Sequence, residues 1–349
     1  MVHLLSRLAS IVWQGNADMP KAAVIHEKGG PEVFRYEDVE VGDPGPGEVR
    51  LKHTAIGVNY ADTYHRGGVS HPWPVGEPPV IVGFEATGEV LELGPGVEGF
   101  AVGDQVVYGL PPLGAYSQER TYPVATLLKI PEGIDPVALA GIFMKGLTTY
   151  YLLHKTYAVK PSDWVLVHAA AGGMGHVLVP WAKHLGSNVI GTVGSETKAE
   201  IAKGLGCDHV IDYSTEDFAA RCRELTDGEG VHVVYESIGK VTLAKSLDSL
   251  RLLGMCVAYG HASGPPGPVD IIEDLGARGS LFITRPAVMH YLTTRAALEE
   301  AAVALFEVLK AGVVRSTVNH TYPLSEADEA HRAIHERRTT GSTVLLPFA

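Results

Sequence analysis

Cysteine is scarce in this chain. Among 349 residues there are three, Cys207, Cys222 and Cys256, an odd and widely spaced set. It excludes a disulfide framework and suits no zinc-cluster spacing. The thiols read as ordinary ones in a reducing compartment, so a cytoplasmic location is expected. Positive charge is also short: 28 Lys and Arg stand against 40 Asp and Glu, a formal net charge of −12. That balance argues against a non-specific grip on nucleic acid or on an anionic membrane. Long apolar runs are missing too, and none approaches the ~20 residues of a membrane span. What is there is an ordinary globular composition, 46% apolar and 19% charged, in a chain long enough for two domains.

The first 18 residues have Arg7, two serines and no acid before Asp18. They carry a weak transit-peptide character without a secretory cleavage pattern, and are read as an N-terminal extension. From Lys21 to about Leu128 short alternating or β-branched runs such as "KAAVIHE" and "GDQVVYG" are separated by glycine and proline turns. This regularity predicts a barrel-like, antiparallel domain. At Asp135 the character changes, with Asp135 placed to cap a helix and Pro136 at its first position. Strand-like and helix-like segments then alternate: "DWVLVHA", "NVIGTVG", "HVIDY", "VHVVYESIG", "GMCVAYG" and "GSLFIT" are each set off by helical stretches. Alternation at this pitch predicts βαβ units and a parallel sheet covered on both faces. A helix over about Thr294 to Ala311 leads back to the first domain's character. The expected fold is α/β, a Rossmann doubly wound sheet (residues 147–287) inserted in a mostly β, barrel-like (GroES-like) catalytic domain (residues 19–146 and 288–349).

The loop "HAAAGGMG" carries the first chemistry. Ala170-x-Gly172-x-x-Gly175 matches a dinucleotide fingerprint with alanine first, between a strand and a helix. Small residues there permit a tight turn, close backbone approach to a pyrophosphate and close helix–strand packing. The helix N-terminus then meets the phosphate charge. One strand later, where an acid would accept from the ribose hydroxyls of NAD, the chain has Gly194 and Ser195. Nothing there repels a 2′-phosphate, Ser195 can donate to it, and Lys198 adds charge. NADPH is therefore expected over NADH. Ser195 can equally cap the next helix, and Lys198 can be a solvated surface lysine. Pro180 lies inside the helix after the loop, where proline removes a donor at a cost of about 3 kcal/mol. A kink or opening between His176 and Pro180 is expected. His331 and His335, four apart, lack the adjacent catalytic Glu of a zincin and read as surface histidines.

From Met19 onward the chain resembles the zinc-independent, zeta-crystallin-type quinone oxidoreductases of the medium-chain dehydrogenase/reductase superfamily. The resemblance rests on "HEKGGPEV", "AIGVNYADTYHRGG", "GFEATGEVLELGPGVEGFAVGDQVVY", "GAYSQE", "MKGLTTYYLL", "VHAAAGGMG", "GTVGSETK" and "TRP". It implies NADPH held in the cleft between two domains, a homodimer, and reduction of quinones or related conjugated carbonyls. Zinc-using relatives have Cys where Asn59 stands and His where Phe84 stands. A phenyl ring cannot ligate a metal, and an amide is a poor zinc ligand; no metal site is expected.

Carried over from the family, Asn59, Tyr64 and Asp62 are the candidate catalytic residues. Asn59 can hydrogen-bond ribose or amide, Tyr64 can present a hydroxyl or merely pack, and Asp62 can be a turn or strand-end residue. The implied cofactor contacts are Asn59, Lys145, Gly172, Gly173, Met174, Gly175, Gly194, Ser195, Lys198, Tyr213, Ser237, Gly260, Thr284, Arg285 and Arg337. The last is interchangeable at this point with Arg338. Three functions stand open: an NADPH-dependent quinone reductase, a reductase of enones or alkenals on the same scaffold, and a protein that binds NADPH for stability and serves a structural or RNA-associated role.

Overall fold

The structure is a computed structural model that describes residues 19–69, 75–315 and 317–349. The reading of the leader falls on residues 1–18, outside the described residues. Six strands, Trp164–Val167, Asn188–Val193, His209–Asp212, Val231–Glu236, Leu250–Ala258 and Phe282–Thr284, form one parallel sheet. Trp164–Val167 lies between Asn188–Val193 and Val231–Glu236. The chain order therefore reverses beside this strand, at the topological switch point where doubly wound sheets take a ligand. The glycine loop follows that strand directly.

The remaining strands build a three-stranded antiparallel sheet and a larger, mostly antiparallel one. The larger sheet joins Glu48–Val58 to Ala86–Leu93 on one side and to the C-terminal strand Ser342–Leu346 on the other. Val318–Pro323 adds to that last strand in parallel. Sequence-distant pieces thus close around the barrel core, which includes Ile25, Leu51, Ile56, Tyr116 and Leu345, all buried.

Asp135 caps its helix as expected, accepting from the backbone N–H groups of Val137 and Ala138. The helical run that follows is two helices rather than one, Pro136–Ala140 and Phe143–Tyr151. Ile142 breaks the register with φ −134° and ψ −8°. Gly146 then lets Phe143–Tyr151 press against Arg295–Lys310, since a Cβ there would lie 2.4 Å from Leu305 Cδ2. The long helix runs Arg295–Lys310 with the Thr294 side chain accepting from Ala297 N.

The helix after the glycine loop departs from one half of the expectation at Pro180, the local opening. Gly175–His184 is continuous through Pro180, without an opening at that point. Val177, Leu178, Val179, Trp181 and Ala182 on either side are buried, so packing holds the turn that proline weakens. His331 is a second correction. It is fully buried, its ring nitrogens 2.9 Å from Arg66 Nη1 and 2.9 Å from the Tyr116 hydroxyl; His335 is exposed.

Candidate active site

Between the parallel sheet and the larger, mostly antiparallel one lies a cavity of about 940 Å³. One wall is the glycine loop. Ala169 there adopts φ 52°, a left-handed conformation that costs a non-glycine residue roughly 1–2 kcal/mol. Its carbonyl accepts from Gly172 N at 2.8 Å, closing the turn. Ala170 replaces the first glycine because its neighbour makes room. A Cβ on Gly191 of the next strand would come 2.8 Å from the Ala170 Cβ. The same Cβ position is also 2.6 Å from Cys207 Sγ, so glycine is needed there. Gly175 is tighter still: a Cβ would lie 2.0 Å from the Ala170 carbonyl oxygen. Gly172 and Gly173 face the cavity, as does Met174.

Beyond the loop, Gly194, Ser195, Lys198, Tyr213 and Arg337 line one end of the cavity. The Tyr213 hydroxyl occupies the space a Gly194 side chain would need, 2.6 Å from that Cβ position. Ser195 caps the helix Glu196–Gly204, accepting from Lys198 N at 3.4 Å. Lys198 Nζ donates to the Arg337 carbonyl at 3.0 Å, which brings two cationic residues together. Burial, and then the charge of Arg337, hold the Lys198 amine below its ordinary value. An anion placed there would offset the repulsion between the two cations. Arg338 is engaged elsewhere, since it pairs with Glu329 and Glu336 and does not line the cavity.

The opposite end is built on Asn59, Lys145 and Glu85. Asn59 precedes the helix Tyr60–Gly67, where its backbone N–H donates to Asp62 Oδ2 at 2.8 Å. Its amide nitrogen donates to Glu85 Oε2 at 2.6 Å, and its amide oxygen accepts from Lys145 Nζ at 3.1 Å. Lys145 also donates to the Gly141 carbonyl at 2.8 Å. Glu85 accepts from Met144 N and is fully buried; burial raises its pKa, against the pull of the Lys145 charge. Both polar ends of Asn59 are thus committed, and its orientation is fixed. Phe84 lines the cavity beside this unit. The Lys145 stem runs against the glycine loop, where a Cβ on Gly173 would meet its Cε at 2.8 Å.

Asp62 is not part of the cavity. It is fully buried behind Asn59, and Tyr116 donates to it at 3.0 Å. Burial pushes its carboxyl up to about 7. The candidate catalytic role is therefore corrected: Asp62 sits at the third position of a helix and positions Asn59. Gly175 and Thr284 likewise lie off the cavity wall, while Ser237, Gly260 and Arg285 are on it. Gly260 is required because a Cβ would approach the Ser237 carbonyl to 2.7 Å. Tyr64 stacks on His261, centroids 4.2 Å apart and planes 4° off parallel. Burial raises its phenol, which stays protonated.

Two groups escape sequence reasoning. Glu85 lies in the stretch "GFEATGEV" but received no role there, and only its seat beside Asn59 and Lys145 reveals it. The second is the buried set His168, Ser246 and Glu236. Ser246 donates to Glu236 Oε2, while His168 lies 2.9 Å from Ser246 Oγ and 2.8 Å from Thr192 Oγ1. Burial keeps the His168 ring neutral, so Nε2–H donates to Ser246 and Nδ1 accepts from Thr192. Glu236 Oε1 in turn accepts from the N–H groups of Ile238 and Gly239, shaping the cavity wall at Ser237 and Ile238. A charged residue at the end of a buried strand was the available signal.

Chemically the cavity offers a cradle for a pyrophosphate, a cation pair for a further phosphate, and an oriented amide–ammonium pair at the far end. Comparison with known proteins agrees with that arrangement. Residues 45–132 match the alcohol dehydrogenase GroES-like domain and residues 173–307 the zinc-binding dehydrogenase family. The chain is 61% identical over 333 residues to a 2-haloacrylate reductase of a Burkholderia species, covering 95% of this chain and 100% of that one. It is 45% identical over 319 residues to a quinone oxidoreductase of Pseudomonas aeruginosa, covering 91% and 97%. The crystal structure of Escherichia coli quinone oxidoreductase complexed with NADPH superposes with a TM-score of 0.90 at 41% identity, over 94% of this chain and 100% of that one. The chain belongs to the zeta-crystallin-like quinone oxidoreductases of the medium-chain dehydrogenase/reductase superfamily, with a GroES-like and a Rossmann-like domain.

Proposed function

We propose that this protein is a zinc-independent reductase that uses NADPH to reduce the conjugated double bond of quinones, enones or related unsaturated carbonyl compounds. The observation that carries the reading is the Asn59–Lys145–Glu85 unit set against the glycine loop in one cavity with Lys198 and Arg337. Gly172 and Gly173 leave room for a pyrophosphate, and Lys198, Arg337 and Ser195 suit a 2′-phosphate. Asn59 and Lys145 would hold the ribose and nicotinamide end. Bound there, NADPH supplies the hydride.

The residues present do not suit zinc catalysis. Phe84 has no donor atom, and the Asn59 oxygen already accepts from Lys145. An acceptor for this site must take hydride without a strong Lewis acid, and conjugation satisfies that need. Hydride adds to the double bond, the displaced electron pair moves to the carbonyl oxygen, and a proton completes the product. What the chain contributes is orientation by Asn59 and a cleft whose apolar wall includes Met144, Phe84 and Tyr151.

Quinones and enones both fit this scheme, and the similarity to a 2-haloacrylate reductase supports the open-chain acceptors as well as the quinones. Assays of NADPH oxidation with 1,4-benzoquinone, methyl vinyl ketone and 2-chloroacrylate test the reading. Turnover of at least one acceptor is expected; tight NADPH binding with no turnover would favour a non-catalytic role.

A further inference from the structure

Arg285 stands in the cavity with no acidic partner. Its Nη1 donates to the carbonyls of Tyr259 at 2.7 Å and Pro286 at 3.2 Å, and Nη2 lies 3.4 Å from His261 Nδ1. Among the described residues no carboxylate pairs with it and Nε has no hydrogen-bond partner. Burial keeps the His261 imidazole neutral, so it accepts from Nη2 and brings no charge. The guanidinium is thus held at one end by two backbone carbonyls. Nε–H and a second Nη2–H have no hydrogen-bond partner among the described residues, and on this exposed side chain they are available to carboxylate oxygens.

The mounting spans both domains. His261 stacks on Tyr64 of the helix Tyr60–Gly67, its backbone N–H donates to the Tyr64 hydroxyl at 3.3 Å, and Tyr60 donates to the Ala262 carbonyl at 2.8 Å. Arg285 therefore has a defined position relative to the Asn59 unit, because one helix carries Tyr60 and Tyr64 and follows Asn59 directly. The rest of the lining is rich in positive charge. Lys198, Arg285 and Arg337 face the cavity with no ion pair among the described residues, whereas Lys145 is paired with Glu85 and Lys245 with Asp217; Glu216 is the acid in the lining, in a chain whose net charge is −12. Such a cleft draws anions in against the field of the whole molecule.

We infer that Arg285 is a specificity-determining residue that receives a carboxylate, so that small α,β-unsaturated acids, as their anions, are acceptors of this site. The inference rests on the reductase reading above. Hydride addition at C3 of such an acid breaks the C2–C3 π bond, and its electron pair moves onto the carboxylate as an enediolate. A proton then adds at C2 to give the saturated acid. A neutral ketone passes through a single negative charge, but a carboxylate passes through two. A cation aimed at the carboxylate is accordingly worth more for the acid than for a neutral acceptor.

The test compares 2-chloroacrylate with its methyl ester, which keeps the double bond and loses the charge. Both are assayed with NADPH for the wild type, Arg285→Gln and Arg285→Lys, and NADPH affinity is titrated separately by fluorescence. In Arg285→Gln the anion-to-ester ratio of kcat/KM should fall by roughly 30-fold, the scale of a charge-assisted hydrogen-bond pair, with part of it recovered in Arg285→Lys. An equal loss on both acceptors together with weaker NADPH binding would make Arg285 a cofactor contact and overturn the inference. So would an unchanged ratio, or a wild type that reduces the ester and not the anion. If the wild type reduces neither of them and no benzoquinone, the reductase reading itself falls, and this inference with it.

Discussion

At the scale of single residues, cofactor choice rests on what stands at the end of the strand Asn188–Val193. Lys198 and Arg337 adjoin there without an acidic partner among the described residues. Replacing Lys198 by Gln should weaken NADPH binding by about tenfold, or ~1.4 kcal/mol, and leave NADH nearly unaffected. Fluorescence titration of both cofactors measures this, and equal losses would contradict it. Counting from the fingerprint singles out Gly194, Ser195 and Lys198, and all three line the cavity. Glu85 was not legible in the sequence, because its importance comes from a strand pairing that brings it under Asn59. The Ala170 substitution also made sense only in three dimensions, where Gly191 supplies the missing volume. Arg337 and Arg338 could be told apart only by seeing which one carries Glu329 and Glu336.

Elements show where local rules yield to packing. Proline in a helix interior predicts a break, although periodicity alone places the strands and helices around Pro180 in their observed order. No opening occurs, because Gly175–His184 is held by buried neighbours on both sides. The missing donor still weakens the helix. Pro180→Gln should therefore stabilise the protein by about 1–3 kcal/mol, seen as a higher midpoint in thermal or urea unfolding. A lower midpoint would mean that ring packing outweighs the lost hydrogen bond.

The helix Tyr60–Gly67 gives a pH-dependent counterpart. "GVNYADTY" reads as cavity-lining chemistry, yet the helical turn sends Asp62 inward, where Oδ1 finds no partner among the described residues. A carboxyl raised from 3.8 to about 7 stabilises the fold fully below its unfolded value. That contribution is lost as pH rises toward about 7, at up to ~1.4 kcal/mol per pH unit. Asp62→Asn should remove this slope, leaving a stability difference from wild type that changes between about pH 4 and 7 and is flat above. A difference independent of pH would show that Asp62 is ionised throughout.

On the scale of the whole molecule, one hydrophobic cluster joins the domains: Phe84, Leu139 and Phe143 share it with Val165, Val177 and Leu305. The two-domain organisation was legible from alternation, whereas this shared core was not, since its members come from segments far apart in the chain. A second feature concerns association. Phe282–Thr284 is the outer strand of the parallel sheet, and Phe282, Leu252, Ile271 and Ile272 near it are exposed, the last three at 70% or more. If the chain forms the homodimer that the family resemblance implies, this exposed apolar edge is the surface expected to carry it. Light scattering after gel filtration should give a dimer for the wild type and a shift toward monomer for Phe282→Glu. A monomeric wild type would refute the assignment.

The proposed function requires that the cavity turn NADPH binding into reduction of a conjugated acceptor without zinc. Its most direct test is the rate of NADPH oxidation by chelator-treated, metal-free protein with 1,4-benzoquinone, methyl vinyl ketone and 2-chloroacrylate. The structure predicts turnover with at least one of them, undiminished by the chelator. Loss of all turnover on metal removal, restored by added zinc, would contradict it.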